Sequence, residues 1–188
     1  NSSARMTATA TAPLLRCFVA LWPDTAARDA IARMVARAHE RHPAARPMRA
    51  ENLHLTLAFI GNLPQTAVRA LQPQVDGVPV TPFIWTLDRV GMFRGAQVLW
   101  LGGGPCATLE ELAAAVRALL DRTGVGYDRA PFVPHVTLLR KLPRTASLEA
   151  GALVSAIRWP VNAVRLVVSI PSSSGPRYRD AADTMTSR

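Results

Sequence analysis

The sequence is poor in cysteine, and it lacks a long hydrophobic run. Its 188 residues include two cysteines, Cys17 and Cys106, and neither has a partner at the spacing of a metal-binding motif. Two reduced thiols are typical of a chain in a reducing compartment, so we expect a cytoplasmic protein. Since no run of about 20 apolar residues occurs, we expect no membrane-spanning helix.

Lysine is almost absent, and the positive charge comes from arginine. The chain has 21 arginines and one lysine, and its net charge is +9 at pH 7. This charge favours polyanionic partners such as RNA or phosphorylated ligands. Guanidinium groups suit phosphate geometry, but an arginine- and alanine-rich composition equally fits a GC-rich genome. The charge thus suggests a class of partner and no particular site.

The pattern of apolar residues predicts an α+β fold in a single domain. Residues 1–13 are small and polar and are expected to form a flexible arm, with the domain covering residues 14–188. We predict strands over 14–22, 48–63, 82–93, 96–103, 131–142 and 161–170, and helices over 23–42, 63–75 and 106–124. Each half pairs a long helix with a later histidine-bearing strand. This predicts two pseudo-symmetric lobes of mostly antiparallel sheet, with outer helices and the two histidine strands side by side.

Histidine is also scarce, and two of the four histidines begin the same short phrase. "HLTLAF" covers residues 54–59 and "HVTLLR" covers residues 135–140. Side chains two apart in a strand point to the same face, so His54 and Thr56 share one face, as do His135 and Thr137. One such motif carries little information, but its repetition in a strand-like context predicts two halves of one site.

Two opposed histidines suit a displacement at phosphorus. The attacking water must lose a proton while the leaving oxygen gains one, and histidine titrates near neutral pH. A threonine hydroxyl beside each histidine can donate to a phosphate oxygen, where charge builds up during the reaction. We therefore predict His54 and His135 as catalytic residues and Thr56 and Thr137 as phosphate-binding residues. This scheme needs no metal and no cofactor.

These motifs resemble those of the 2H phosphoesterase superfamily, which is named for two His-x-Thr/Ser elements. "RCFVALWPD", "ENLHLTLAFIGNL", "VLWLG" and "RAPFVPHVTLLRK" resemble blocks of its RNA 2′,3′-cyclic phosphodiesterase branch, also called 2′-5′ RNA ligases. The resemblance covers about residues 14–180. It implies a two-lobed α+β fold with both motifs in a central cleft. It also implies metal-independent hydrolysis of a 2′,3′-cyclic phosphate to a 2′-phosphate, with His54 as the acid and His135 as the base.

Further side chains near the motifs are candidates for substrate contacts. Arg140 would bind phosphate, but strict alternation places it on the face opposite His135, so this role requires a bulge or a bend. Phe59 and Phe132 are candidates for base stacking, and a place in the core is the alternative for both. Arg177, Tyr178 and Arg179 would meet RNA if "PSSSGPRYRD" borders the cleft, and a plain loop is the alternative.

Two other patterns favour structural interpretations. His39 and His42 lie three apart near a helix end, which provides too few ligands for a metal site. The glycines over 102–104 lack the spacing of a phosphate-binding loop and indicate a strand-to-helix connection. The expected protein is a monomeric enzyme that acts on RNA or a nucleotide with a cyclic phosphate end. The alternatives are a binding module with the same fold, or 2′-5′ end joining or cleavage.

Overall fold

The computed structural model describes residues 12–147 and 151–185, in which nine strands form two antiparallel sheets. Most of the predicted flexible arm, residues 1–11, lies outside the described residues. The first sheet has the order β3-β1-β8-β9, with β1 Leu14–Leu21, β3 Leu55–Pro64, β8 Arg165–Ile170 and β9 Arg177–Asp180. The second has the order β2-β6-β5-β4-β7, with β2 Arg46–Pro47, β4 Phe83–Phe93, β5 Val98–Gly102, β6 Val136–Arg140 and β7 Gly151–Val161.

The helices lie outside the two sheets, and two of them pack on the sheet that they do not follow in the chain. They are α1 Thr25–Arg41, α2 Gln65–Asp76, α3 Ala107–Thr123 and α4 Ala181–Met185. Helix α1 follows a strand of the first sheet but packs on β6 and β7 of the second, whereas α3 follows a strand of the second sheet and packs on β3 of the first. This exchange of helices ties each half of the chain to the other. The α+β prediction with outer helices is therefore confirmed.

Local sequence signals account for one end of each of the two long helices, α1 and α3. Asp24 is the N-cap of α1, where its carboxylate accepts a hydrogen bond from the amide of Ala27 at 2.8 Å. Gly124 ends α3 with φ of 71°, a left-handed conformation that glycine adopts without steric cost. None of the described helices is long and apolar enough to cross a bilayer.

The sequence interpretation missed one long strand and misjudged one pairing. Strand β7 was not predicted, because Pro160 near its end weakens the strand pattern. It lies at the edge of the second sheet, where a proline is tolerated. The two histidine-bearing strands are not neighbours in one sheet, since β3 is at the edge of the first sheet and β6 is inside the second.

The hydrophobic core is shared by both sheets, and a smaller cluster covers the other face of the first sheet. The large cluster includes Leu57 of β3, Val136 of β6 and residues of α1, α2 and α3. The smaller one consists of Phe18, Ala20 and Val167, with Trp22, Phe59 and Tyr178 packed against it. Because β1 alternates between the two clusters, Phe18 and Ala20 provide an apolar surface on the face away from the core.

The glycine-rich connection after β5 packs closely against β4. A Cβ atom on Gly103 would lie 2.2 Å from the carbonyl oxygen of Thr86 and 3.0 Å from the indole nitrogen of Trp85. Glycine is required there because the two backbones approach so closely. The predicted role as a strand-to-helix connection agrees with this position.

Candidate active site

His54 lies immediately before β3, and its hydrogen bonds define its tautomer. Its Nδ1 is 2.7 Å from the carbonyl oxygen of Asn52, which can only accept, so Nδ1 carries the proton. Its Nε2 is 2.9 Å from the hydroxyl oxygen of Thr56. In the neutral imidazole, Nε2 therefore accepts the hydrogen bond that Thr56 donates, and the motif holds a base and a hydroxyl in contact.

Three aromatic rings lie close to His54. The ring centroids of Phe18, Tyr178 and Trp22 lie 4.8, 5.2 and 6.2 Å from the imidazole. Burial lowers the pKa of His54 to about 4, the hydrogen bond to the Asn52 carbonyl opposes this shift, and the charges of Arg140 and His135 add to it. At neutral pH the His54 imidazole is therefore uncharged.

His135 repeats the local arrangement before β6 in a more open setting. Its Nδ1 is 2.7 Å from the carbonyl oxygen of Val133, again two residues earlier, so Nδ1 donates and Nε2 carries the lone pair. The ring of Phe93 packs edge-on with a centroid distance of 4.9 Å. Burial lowers the pKa of His135, the Val133 carbonyl opposes this, and the charge of Arg140 lowers it further. The two imidazoles and Arg140 thus share one electrostatic environment.

A β-bulge follows the threonine of the first motif. The register between β1 and β3 is Ala20↔Thr56, Val19↔Ala58 and Phe18↔Phe59. Leu57 is the extra residue between two consecutive partners, and its side chain is buried in the large core. Because the bulge shifts the alternation by one, Phe59 points to the same face as Thr56.

An equivalent bulge follows the threonine of the second motif. The register between β5 and β6 is Leu101↔Val136, Trp100↔Thr137 and Leu99↔Leu139. Leu138 is the extra residue, and it is also buried in the large core. The bulge moves Arg140 onto the face of Thr137, as its predicted role requires. In both motifs the leucine after the threonine is the bulged residue, and the residue five positions after the histidine turns toward the site.

A cleft of about 610 Å³ opens beside His54, Thr56 and Arg140. It is lined by Arg16, Phe18, His54, Thr56, Phe59, Arg140, Ser169, Pro176 and Tyr178. Four of the predicted site residues are thus brought together, whereas His135, Thr137 and Phe132 are not among the lining residues. Thr137 is 9% exposed, and Phe132 packs against the large core.

Phe59 has a partner that the sequence did not indicate. The guanidinium carbon of Arg16 lies 4.8 Å from the centroid of the Phe59 ring, a cation–π contact across β1 and β3. Both side chains line the cleft, as Arg140 does. The cleft lining therefore includes an aromatic ring with a guanidinium against it, and also the exposed guanidinium of Arg140.

Asn52 joins His54 to the wall of the cleft. Its side-chain amide donates to the carbonyl oxygen of Pro176 at 2.8 Å, and its side-chain oxygen accepts from the amide of Tyr178 at 3.0 Å. Asn52 is 3% exposed. The segment over 171–180 therefore borders the cleft, as one interpretation of "PSSSGPRYRD" predicted. The sequence signal that could have revealed this link is a polar residue, Asn52, two positions before the motif histidine His54.

The titratable side chains around this site do not form a metal centre. Within residues 12–147 and 151–185, no three histidine, cysteine, aspartate or glutamate side chains cluster in a way that could hold an ion. The chemistry that the site can perform with its own residues is proton transfer by two imidazoles beside a cation.

Comparison with known proteins assigns the chain to a family. The model of the 2′-5′ RNA ligase superfamily matches residues 22–170, which include both His-x-Thr motifs. The chain belongs to this superfamily. The predicted family is therefore confirmed, because the match covers most of this chain.

Relatives of this chain include proteins named RNA 2′,3′-cyclic phosphodiesterase. The one from Escherichia coli is 40% identical over 98 residues, which are 52% of this chain and 56% of that protein. The one from Geobacillus stearothermophilus is 30% identical over 159 residues, 82% of this chain and 49% of that protein. The chain thus spans about half the length of these two relatives.

The fold is shared with a solved member of the superfamily. The crystal structure of E. coli LigT complexed with 3′-AMP matches with a TM-score of 0.76 and 29% identity, covering 89% of this chain and 95% of that chain. The predicted α+β fold with antiparallel sheets therefore agrees with a nucleotide-bound relative.

Proposed function

We propose that this protein hydrolyses 2′,3′-cyclic phosphate ends of RNA and leaves a 2′-phosphate. The observation that carries the proposal is the repeated geometry of the two motifs. Each histidine donates its Nδ1 proton to a carbonyl oxygen 2.7 Å away and so keeps Nε2 for proton transfer. The superfamily match and the names of the relatives support the same reaction class.

We assign the two proton transfers to different histidines. Nε2 of His135 takes a proton from water, whose oxygen bonds to phosphorus while the bond from phosphorus to O3′ breaks. His54 gives a proton to O3′. The described side chains donate no hydrogen bond to Nε2 of His135, whereas Nε2 of His54 is in contact with Thr56. This difference supports His135 as the base toward water.

The negative charge of the substrate phosphate favours the protonated form of His54, which the acid role requires. In the free protein, burial and Arg140 hold the pKa of His54 at about 4. A bound phosphodiester anion offsets the charge of Arg140 and favours the protonated imidazole. Thr56, Thr137 and Arg140 are proposed to bind the non-bridging oxygens, where negative charge accumulates.

Phe59 and Phe132 remain the proposed base-stacking residues, and their surroundings differ. The cleft position of Phe59 and its contact with Arg16 support stacking on a nucleobase. For Phe132 the core contacts favour a structural role. A monomeric state and a cytoplasmic location stay predictions.

The decisive experiment is a product assay. A short oligoribonucleotide with a 2′,3′-cyclic phosphate end is incubated with the protein in excess EDTA, and the products are compared with 2′- and 3′-phosphate standards. We expect the 2′-phosphate alone. Formation of the 3′-phosphate, or an unchanged substrate with folded protein, contradicts the proposal. Tight binding without turnover would favour the RNA-binding alternative, and a longer 2′,5′-linked product would favour end joining.

A further inference from the structure

Two arginines face each other directly across neighbouring strands next to the cleft. Arg46 of β2 and Arg140 of β6 are partners in the antiparallel register, so their side chains leave the same face of the second sheet. Both side chains are exposed. Like charges placed directly opposite each other destabilise a sheet. A bound anion would offset the repulsion between these two charges.

No carboxylate neutralises this pair within the described part of the chain. The ion pairs over residues 12–147 and 151–185 join Arg49 to Glu51 and three other pairs of residues, and none includes Arg46 or Arg140. Arg140 lines the cleft, and its charge lowers the pKa of both histidines. Arg46 therefore extends the positive potential of the cleft outward by one strand, about 4.8 Å in a sheet.

We propose that Arg46 forms a second phosphate subsite, which binds the phosphate of the nucleotide preceding the cyclic end of an RNA strand. Strand β2 is the edge of the second sheet, so a polynucleotide can leave the cleft over it. Arg140 holds the reacting phosphate and Arg46 the next one. This inference rests on the proposed function and specifies its substrate as an oligoribonucleotide end.

The lining of the cleft at Arg16 and Phe59 is chemically different from the arginine pair. Arg16 lies 4.8 Å from the centroid of the Phe59 ring, so its guanidinium is already placed on an aromatic face. This surface suits a nucleobase, which stacks on both an aromatic ring and a guanidinium plane. The pair of uncompensated arginines on β2 and β6 suits the phosphate backbone of an RNA strand.

The test measures how binding depends on salt and needs no turnover. A fluorescein-labelled tetraribonucleotide with a 2′-phosphate end is titrated with protein at several salt concentrations. For single-stranded RNA, removing one cation that binds a phosphate reduces the slope of log K against log salt by about 0.7. We expect Arg46→Gln to reduce the slope by this amount and to weaken binding roughly 3- to 10-fold at low salt. Its melting temperature should be unchanged or raised, because a like-charge repulsion is removed.

Arg37→Gln is the matched control. Arg37 is exposed on α1 and lies two residues after the buried Val35, which places it on the opposite side of the helix. It removes the same charge, and we expect the wild-type slope. Equal slopes for wild type and Arg46→Gln would overturn the inference, as would an equal reduction by Arg37→Gln. A reduction by Arg16→Gln and not by Arg46→Gln would also overturn it, since the strand would then follow β1.

The two proposals fail in distinguishable ways. If the protein hydrolyses no cyclic end but Arg46→Gln still flattens the salt dependence, the proposed hydrolysis is wrong and the phosphate subsite stands. If it hydrolyses the cyclic end of the tetranucleotide no better than adenosine 2′,3′-cyclic phosphate, and Arg46→Gln binds with the wild-type slope, the subsite is wrong and the hydrolysis stands.

Discussion

The two His-x-Thr motifs share a backbone arrangement and differ in what surrounds it. Both histidines donate Nδ1 to the carbonyl two residues earlier, and both motifs have a bulge at the leucine after the threonine. Among the described residues, three aromatic rings contact His54 and one ring, that of Phe93, contacts His135. The residue delivered by the bulge is Phe59 in one motif and Arg140 in the other. One local fold thus presents an apolar half-site and a cationic half-site to the same cleft.

The largest expected effect comes from removing either imidazole. A positioned general acid or base contributes about 10²- to 10⁴-fold. We expect His54→Gln and His135→Gln each to lower kcat toward a cyclic-phosphate oligonucleotide by this factor. His42→Gln, at the C-cap of α1, is the control with wild-type activity. Circular dichroism checks the fold of all three, and a folded variant of either motif with more than a tenth of wild-type kcat would break the equivalence of the motifs.

The shared features of the motifs could be predicted from the sequence only in part. The alternation of a strand places His54 with Thr56 and His135 with Thr137, because the period of two operates over a few residues. The positions of Phe59 and Arg140 depend on bulges, which are defined by the register against β1 and β5. A register is a long-range property, so the sequence revealed only that Arg140 needs a bulge.

The surroundings of the motifs were less accessible to sequence analysis. Asn52 contacts Pro176 and Tyr178, which lie 124 and 126 residues further along the chain. Trp22 likewise donates to the carboxylate of Asp180 at 2.6 Å, 158 residues away. Such contacts follow from the pairing of β1 with β8 and of β8 with β9, which no local pattern encodes. The cleft wall was therefore recognised only as one of two alternatives for a loop.

The second expected effect concerns stability in acid. The pKa of His54 is about 6.5 in the unfolded chain and about 4 in the folded protein. Above pH 6.5 the imidazole is neutral in both states and the free energy of unfolding is unaffected by its titration. As the pH falls from 6.5 toward 4, the unfolded state binds the proton first, so the free energy of unfolding decreases. This loss amounts to about 3 kcal/mol. We expect urea unfolding of His54→Gln at pH 7 and pH 4 to show a correspondingly smaller loss than wild type.

This measurement sharpens the comparison between the motifs. Burial lowers the pKa of His135 as well, but fewer rings enclose it, so His135→Gln should reduce the acid loss by less than His54→Gln does. The carboxylates titrate in wild type and variants alike, so only the differences between the proteins are compared. A larger effect at His135 than at His54 would reverse the assignment of the apolar half-site.

A smaller effect is expected at Arg140, where the cationic half-site acts on both imidazoles. Its charge lowers the pKa of His54 and of His135, so Arg140→Gln should raise both values, as measured by NMR titration of the imidazoles. Loss of a charged hydrogen bond to phosphate should lower kcat/KM about 10- to 100-fold. Lys141→Gln removes a charge one residue later and is the control. An unchanged pKa for both histidines in Arg140→Gln would contradict an electrostatic effect of the Arg140 guanidinium on the site.

The smallest expected effect tests the apolar half-site. Stacking of a base on an aromatic ring contributes about 1 to 3 kcal/mol, so Phe59→Leu should raise KM for a cyclic-phosphate oligonucleotide at least about fivefold. The uncharged Phe59 side chain exerts no Coulomb effect, so kcat and the pKa values of the histidines should stay near those of wild type. Phe83→Leu makes the same change at the start of β4, where the ring packs against the large core, and it should leave KM unchanged.

Phe132→Leu then decides between the two stacking candidates. A rise in KM for Phe59→Leu alone assigns the base to the motif position that the bulge turns into the cleft, beside Arg16. A rise for Phe132→Leu alone would place the base next to the second motif. In that case the bulge after Thr56 would serve to pack Leu57 in the core, and the parallel between Phe59 and Arg140 would be structural only.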